Sequence, residues 1–194
     1  MDLVLVGLSH KTAPIGIRER IAFPDTHLRK GLCLLKKDFA LQECMIVSTC
    51  NRVEVIAHSE QEQESDTVES IKNFLYSYHA LDRPFLEHYL YSYLKHDAVR
   101  HIFRVASSLD SMVVGEPQIL AQLKRAYDLA REVGNVGANL NHLIPRAFFV
   151  AKRVRSSTQI GASAVSISSV AVELARKIFG DLHKSQNILL KLVH

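Results

Sequence analysis

The segment "VSTCNRVEVIA" (47–57) sets a lone cysteine, Cys50, between two strand-like apolar runs, with Thr49 before it and Asn51 and Arg52 after it. A thiol in a short polar turn neither packs in a core nor pairs with a second cysteine. It is either a chance surface residue or one placed there for its reactivity. Arg52 and Glu54 are two positions apart on the strand that follows, so their side chains share a face. They form either a solvent-facing ion pair or a guanidinium that a carboxylate holds ready to receive a substrate carboxylate in bidentate fashion.

Two further stretches carry candidate chemistry. In "DAVRHIFRVASSLDSM" (97–112) helical spacing collects Val99, Ile102, Phe103, Ala106 and Leu109 on one side and His101, Arg104, Ser108 and Ser111 on the other. The polar side is either solvated or lines a site, where a histidine could carry protons for a cysteine nucleophile. In "VGEPQILAQL" (114–123) Pro117 suits the first helical position, with Glu116 as the cap and Gln118 and Gln122 on one face. The free N–H groups at such a helix start can bind a carboxylate, or simply face water.

The elements that must position these residues follow from the apolar patterning. "LVLVGL" (3–8) reads as a buried strand and 26–39 as a helix with Leu28, Leu32, Leu35 and Phe39 on one side. "ECMIVS" and "RVEVIAH" flank the Cys50 turn as a hairpin, 66–79 is a second helix, and the tyrosine-rich "HYLYSYL" (88–94) is a fourth strand. The order β-α-β-β-α-β predicts an α+β fold with a ferredoxin-like split βαβ domain. Helices at 97–109, 118–133, 139–158 and 166–179 follow, with Pro145 expected to kink or restart the third. "NILLKLV" (187–193) reads as a strand opening a new unit, which divides the chain into a domain over 1–158 and a second unit over 159–194.

Composition narrows the class. The 194 residues are 47% hydrophobic and 23% charged, ordinary for a globular chain. No apolar run approaches the roughly 18 residues of a membrane span. The start, "MDLVLVGLSHK", lacks a basic region and a long apolar core, so a cytoplasmic location is expected. Three cysteines (Cys33, Cys44 and Cys50) without a C-x-x-C pair indicate neither a disulfide framework nor a zinc ribbon, and the ten histidines are too scattered to suggest a metal site. The net charge is +4, but no acid lies between Val133 and Val172, where Arg146, Lys152, Arg153 and Arg155 fall. Such a stretch suits a polyanion such as RNA, and equally a solvated helix face.

"GLSHKTAPIGIRER", "STCNRVEVIA", "FRVASSLDSMVVGEPQILAQLKRAYDLA" and "RAFFVAKRVRSSTQIGASAVSISSVAVELA" together resemble, in order and spacing, the glutamyl-tRNA reductase family, from about residue 4 to about residue 189. The resemblance implies that Cys50 attacks the ester joining glutamate to its tRNA, forming an enzyme thioester that NADPH then reduces to glutamate-1-semialdehyde for tetrapyrrole synthesis. It implies that His101 assists, and that Thr49, Asn51, Arg52, Ser111, Glu116, Pro117, Gln118 and Gln122 hold the glutamyl group, with Glu54 supporting Arg52. Glutamyl-tRNA, a homodimer partner and glutamate-1-semialdehyde aminomutase are the implied partners, with no membrane. The family continues into an NADPH-binding Rossmann domain, of which "NILLKLVH" would be the first strand. No G-x-G-x-x-G occurs here, so the chain is expected to be a truncated catalytic portion that does not reduce by itself. The alternative is a non-reducing fragment that acts as an esterase or as a module binding tRNA or a regulator. Ser108 stands where the family more often has glycine.

Overall fold

The computed structural model describes residues 3–39, 41–58, 64–161, 174 and 176–178. Four strands, β1 (Leu3–Ser9), β2 (Glu43–Ser48), β3 (Arg52–His58) and β4 (Tyr91–Leu94), form one sheet in the order β2-β3-β1-β4, every neighbouring pair antiparallel. Among the described residues seven bounded α-helices accompany them: α1 (Ile15–Ile21), α2 (Asp25–Lys37), α3 (Glu64–Tyr78), α4 (Arg83–Glu87), α5 (Lys95–Ala106), α6 (Gln118–Glu132) and α7 (Ala138–Ser157). This is the split βαβ arrangement with helices appended, as the sequence predicts.

Helices cover both faces of the sheet, which is why the central strand β1 is apolar almost throughout and buried at all seven positions. On one face Gly31 of α2 lies against Ile46 of β2, and α3 packs on β1. On the other, α5 packs on β1 and β4, and α7 on β2. The β2 edge is closed by the connection between α6 and α7, where the Cys44 N–H donates to the Asn135 carbonyl at 2.9 Å. Asn135 Nδ2 also donates to the Leu32 carbonyl at 2.7 Å, tying α2 to the same corner.

The differences from the sequence reading have local causes. The fourth strand spans only Tyr91–Leu94, because Pro84 opens the short helix α4 and a turn at Tyr89 follows it. Helix α5 stops at Ala106 instead of 109: Ser108 takes φ 60°, its N–H bonds the Val105 carbonyl, and the Leu109 N–H bonds the Arg104 carbonyl. This is a Schellman ending with serine at the left-handed position that favours glycine. Ser108 and Ser111 therefore lie off the helix, and Leu109 is exposed. Pro117 is the N-cap of α6 and not its first residue, so Glu116 is not the cap. Helix α7 continues through Pro145, since Leu140, Leu143, Ile144, Ala147 and Ala151 are buried on both sides of it and packing outweighs one lost backbone bond. Cys33 is exposed on α2, off the side formed by Leu32 and Leu35. The helix expected at 166–179 is described only at 174 and 176–178, where the backbone is helical, and the strand expected at 187–193 lies outside the described residues.

Candidate functional site

The candidate site begins at the turn joining β2 to β3. The Thr49 N–H donates to the Arg52 carbonyl at 2.8 Å, and the Thr49 hydroxyl oxygen accepts from the N–H groups of Asn51 at 3.2 Å and Arg52 at 3.1 Å. Threonine thus closes the turn with its own side chain and leaves Cys50 exposed at the tip. Two groups clamp the turn from outside. The His10 N–H donates to the Asn51 carbonyl at 2.8 Å, and Arg18 Nε of α1 donates to the Cys50 carbonyl at 3.0 Å. Arg18 is itself buried and spends Nη1 on the Ala13 carbonyl at 2.7 Å.

Behind the turn lies a buried charge cluster. Arg52 and Glu54 share a face as their spacing predicts, but each is only 1% exposed, so the solvent-facing ion pair is ruled out. Arg52 Nη1 donates to Glu54 Oε1 at 2.8 Å, while Nη2 donates to the Asp110 carbonyl at 2.6 Å and to Asp110 Oδ2 at 3.1 Å. The second carboxylate therefore comes from the loop after α5, where Lys11 also bonds Asp110 Oδ1. His101 Nε2 lies 2.7 Å from Glu54 Oε1, and the Tyr91 hydroxyl donates to the same oxygen at 2.5 Å. His101 is sealed beneath Tyr93, whose ring stacks on it with centroids 4.6 Å apart.

One glycine makes this possible. Across β3, β1 and β4 the residues Glu54, Gly7 and Tyr91 stand in one row. A Cβ on Gly7 would come within 2.3 Å of the Val53 carbonyl oxygen and 2.8 Å of Glu54 Cγ. The missing side chain is the space through which Glu54 and Tyr91 meet.

Charge and burial set the protonation states. Burial works against ionised Glu54, but the Arg52 charge and the bonds from His101 and Tyr91 outweigh it and hold the carboxyl below its ordinary range. Asp110 is likewise pushed up by burial and held low by Lys11 and Arg52. Burial and then the Glu54 charge raise the Tyr91 hydroxyl, which stays protonated as a donor. With Glu54 ionised, Nε2 of His101 must carry a hydrogen, which it donates to Oε1. Burial first, then the charges of Arg52 and Lys11, hold His10 below its ordinary value. The buried Nδ1 of His10 has no hydrogen-bond partner among the described residues.

Of the residues singled out from the sequence, Thr49, Cys50, Asn51, Arg52, Glu54 and His101 gather at the turn and the cluster behind it. Ser111 is buried next to Asp110 in the chain. Glu116 is buried, and its carbonyl accepts from Ser108 Oγ at 2.7 Å and Arg155 Nη1 at 3.3 Å, so its backbone ties the loop to α7. Pro117 and Gln118 are exposed, and Gln122 lines a different cavity, between α2 and α6 beside Ile46 and Ser48. Among the described residues no hydrogen bond joins Pro117, Gln118 or Gln122 to the Arg52 cluster. Sequence reasoning missed Gly7, His10, Lys11, Arg18, Tyr91 and Asp110 as parts of the site. The signals were that Gly7 to Lys11 and Arg18 fall within "GLSHKTAPIGIRER", Asp110 within "DAVRHIFRVASSLDSM" and Tyr91 within "HYLYSYL".

Fold and site together define an α+β domain that offers an exposed thiol at its hairpin tip, backed by a buried arginine–carboxylate–histidine cluster. The chain belongs to the glutamyl-tRNA reductase family: residues 6–158 match the family model for the glutamyl-tRNA(Glu) reductase N-terminal domain. It is 53% identical over 182 residues to glutamyl-tRNA reductase 2 of Koribacter versatilis, covering 94% of this chain and 41% of that protein. It is also 53% identical to the glutamyl-tRNA reductase of Geobacter sulfurreducens, covering 94% of this chain and 42% of the relative. The solved glutamyl-tRNA reductase from Methanopyrus kandleri superposes with a TM-score of 0.72 at 37% identity, over 94% of this chain and 41% of that one. The chain thus spans about two fifths of the length of the curated relatives it matches.

Proposed function

We propose that this domain accepts the glutamyl group of glutamyl-tRNA on Cys50, as the acyl-transfer half of a glutamyl-tRNA reductase. The observation that carries the reading is the exposed thiol at a turn held rigid by Thr49, His10 and Arg18. In the reaction Cys50 Sγ bonds to the ester carbonyl carbon, the bond from that carbon to the ribose oxygen breaks, and the thiol proton ends on the ribose oxygen. His101, its Nε2–H fixed on Glu54, has Nδ1 left to exchange a proton. Arg52 and Lys11 are the cations nearest the loop of Asp110 and Ser111, so a substrate carboxylate at Arg52 has to take the place of the Asp110 carboxylate. Asn51, Ser111, Glu116, Pro117, Gln118 and Gln122 remain candidates for contacts to the glutamyl group, the last three from outside the cluster.

The residues described here do not fit NADPH. Its pyrophosphate needs a glycine turn opening a helix. Of the glycines with positive φ, Gly115 is packed on the Ile160 carbonyl and Gly134 lies just after α6. Reduction of the thioester to glutamate-1-semialdehyde, in porphyrin synthesis, is accordingly assigned to the longer protein, together with NADPH binding, the homodimer and any contact with the aminomutase. Three free cysteines suit a cytoplasmic location, and no helix among the described residues is long and apolar enough to cross a membrane.

The test uses glutamyl-tRNA labelled in the amino acid. The 194-residue chain is expected to release free glutamate through a hydrolysed thioester, and Cys50→Ser to abolish release while the thermal melt is unchanged. Equal consumption by wild type and Cys50→Ser removes Cys50 as nucleophile. Tight binding without release leaves a tRNA-binding module.

A further inference from the structure

Cys50 also forms part of the wall of a cleft of about 300 Å³ on the outer side of the turn. Its lining is largely apolar: Ile15, Ala22, Phe23 and Pro24, with Glu19 at the rim. Ser48, which also lines it, stands opposite Val53 in the hairpin register and so belongs to the sheet face away from Arg52 and Glu54. The thiol therefore has a cationic, hydrogen-bonding cluster on one side and an apolar cleft on the other. The Arg18 guanidinium that reaches the cleft gives Nε to the Cys50 carbonyl and Nη1 to the Ala13 carbonyl, which holds it along the wall. With Glu19 also in its lining and most of the wall apolar, the cleft suits a flat neutral group better than a second carboxylate.

A glutamyl ester of tRNA has the same two-sided character. Its acyl part carries charge, and its leaving group is the ribose of the 3′-terminal adenosine, which bears a flat aromatic base. We propose, on the reading that Cys50 takes the glutamyl group, that this cleft seats the terminal adenosine and so fixes the ester across the thiol. The adenine lies against Ile15, which is 63% exposed, and against Ala22 and Pro24. Glu19 is placed to accept from the exocyclic amine, which uracil lacks. A cleft of this size sits at the low end of small-molecule sites, about 300–1,000 Å³, enough for one nucleoside and no more. Base stacking on such walls is usually tolerant of sequence, so the amine contact supplies the preference.

The proposal is tested on the 194-residue chain, first without turnover by following iodoacetamide alkylation of Cys50 by peptide mass spectrometry, since Cys33 is exposed as well, and then by the KM for glutamate release. Millimolar adenosine should slow alkylation of Cys50 and leave that of Cys33 unchanged, with uridine less effective. Ile15→Asp should abolish the protection and raise KM for glutamyl-tRNA by about tenfold, whereas Ile15→Phe should keep both. Absence of protection by adenosine overturns the assignment, as does equal protection by uridine or an Ile15→Asp variant with unchanged KM. Failure of the acyl-transfer reading is distinguishable, because it appears as glutamate release that does not depend on Cys50 or as binding without release, whereas protection of the thiol by adenosine is read independently of release.

Discussion

At the scale of single residues, Arg52 decides whether the site exists. Its guanidinium bridges Glu54 and Asp110, two buried carboxylates that it holds ionised, at Asp110 together with Lys11. Lysine offers a point charge that reaches only one of them, leaving Glu54 to His101 and Tyr91 or Asp110 to Lys11. Arg52→Lys is expected to cost about 3–5 kcal/mol, the range for breaking a buried pair on one side, read as a lowered urea midpoint, and to lose glutamyl-tRNA consumption with it. Wild-type stability in that variant would mean that water reaches the cluster. Gly7→Ala puts a Cβ against the Val53 carbonyl, which cannot move without opening the sheet. A loss of about 3 kcal/mol, the upper end of overpacking costs, is expected in the same assay. The Cys50 turn and the Arg52–Glu54 pair were legible because each lies within one hairpin. Asp110 was not, since it joins Arg52 across 58 positions and nothing in "SSLDSM" says which strand it meets. Gly7 becomes meaningful only through the β1–β3 register that sets it opposite Glu54.

At the scale of elements, a strand residue caps a distant helix. Glu43 at the start of β2 accepts the N–H of Asn139 at 3.0 Å and of Leu140 at 2.7 Å, the first turn of α7. Burial pushes its carboxyl up, but the Leu140 and Asn139 bonds prevail and hold it low. The charge sits at the positive end of the helix, where it is stabilising. Glu43→Ala strands the buried Leu140 donor and the half-buried Asn139 donor and is expected to cost about 2–3 kcal/mol, whereas Glu43→Gln, which keeps an acceptor, should cost clearly less. Equal losses for the two variants would assign the effect to packing against Gly137 instead, whose Cβ position lies 2.8 Å from the carboxylate. The long helices were legible because their apolar periodicity runs for two turns or more, and the four strands because each is an apolar or alternating run, although the fourth is shorter than 88–94. Helices α1 and α4 were not, being seven and five residues long, too short for a period to declare itself. The end of α5 was misread because a serine, and not a glycine, occupies the left-handed position that stops it.

At the scale of the whole molecule, charge and titration act together. Arg146, Lys152 and Arg153 are exposed along α7 around Phe149, which is 65% exposed. Cations flanking an open aromatic ring suit a nucleic-acid strand. Reversing Arg146 and Arg153 to glutamate should weaken glutamyl-tRNA binding and lower its salt slope by about two, and an unchanged slope would place the RNA elsewhere. Stability should depend on acid in two stages. His79 packs edge-on against Phe23 with centroids 4.6 Å apart, its Nε2 is unpartnered among the described residues, and burial lowers it from 6.5 to about 4. The folded state thus binds this proton later than the unfolded chain does. Its contribution is complete above the unfolded value and drains away as pH falls from 6.5 to about 4. His10, lowered by burial and by Arg52, adds a loss of the same sign. Glu43, Glu54 and Asp110 are lowered too, so their contributions persist through that window and vanish only at more acid pH. His79→Phe keeps a ring against Phe23 and removes the titration. Thermal melts should then show a wild-type midpoint that slopes down between pH 6.5 and 4, a flatter variant, and a shared steep fall below. Parallel slopes in the upper window would mean that His79 opens to water before it protonates, and that the carboxylates alone set the acid limit.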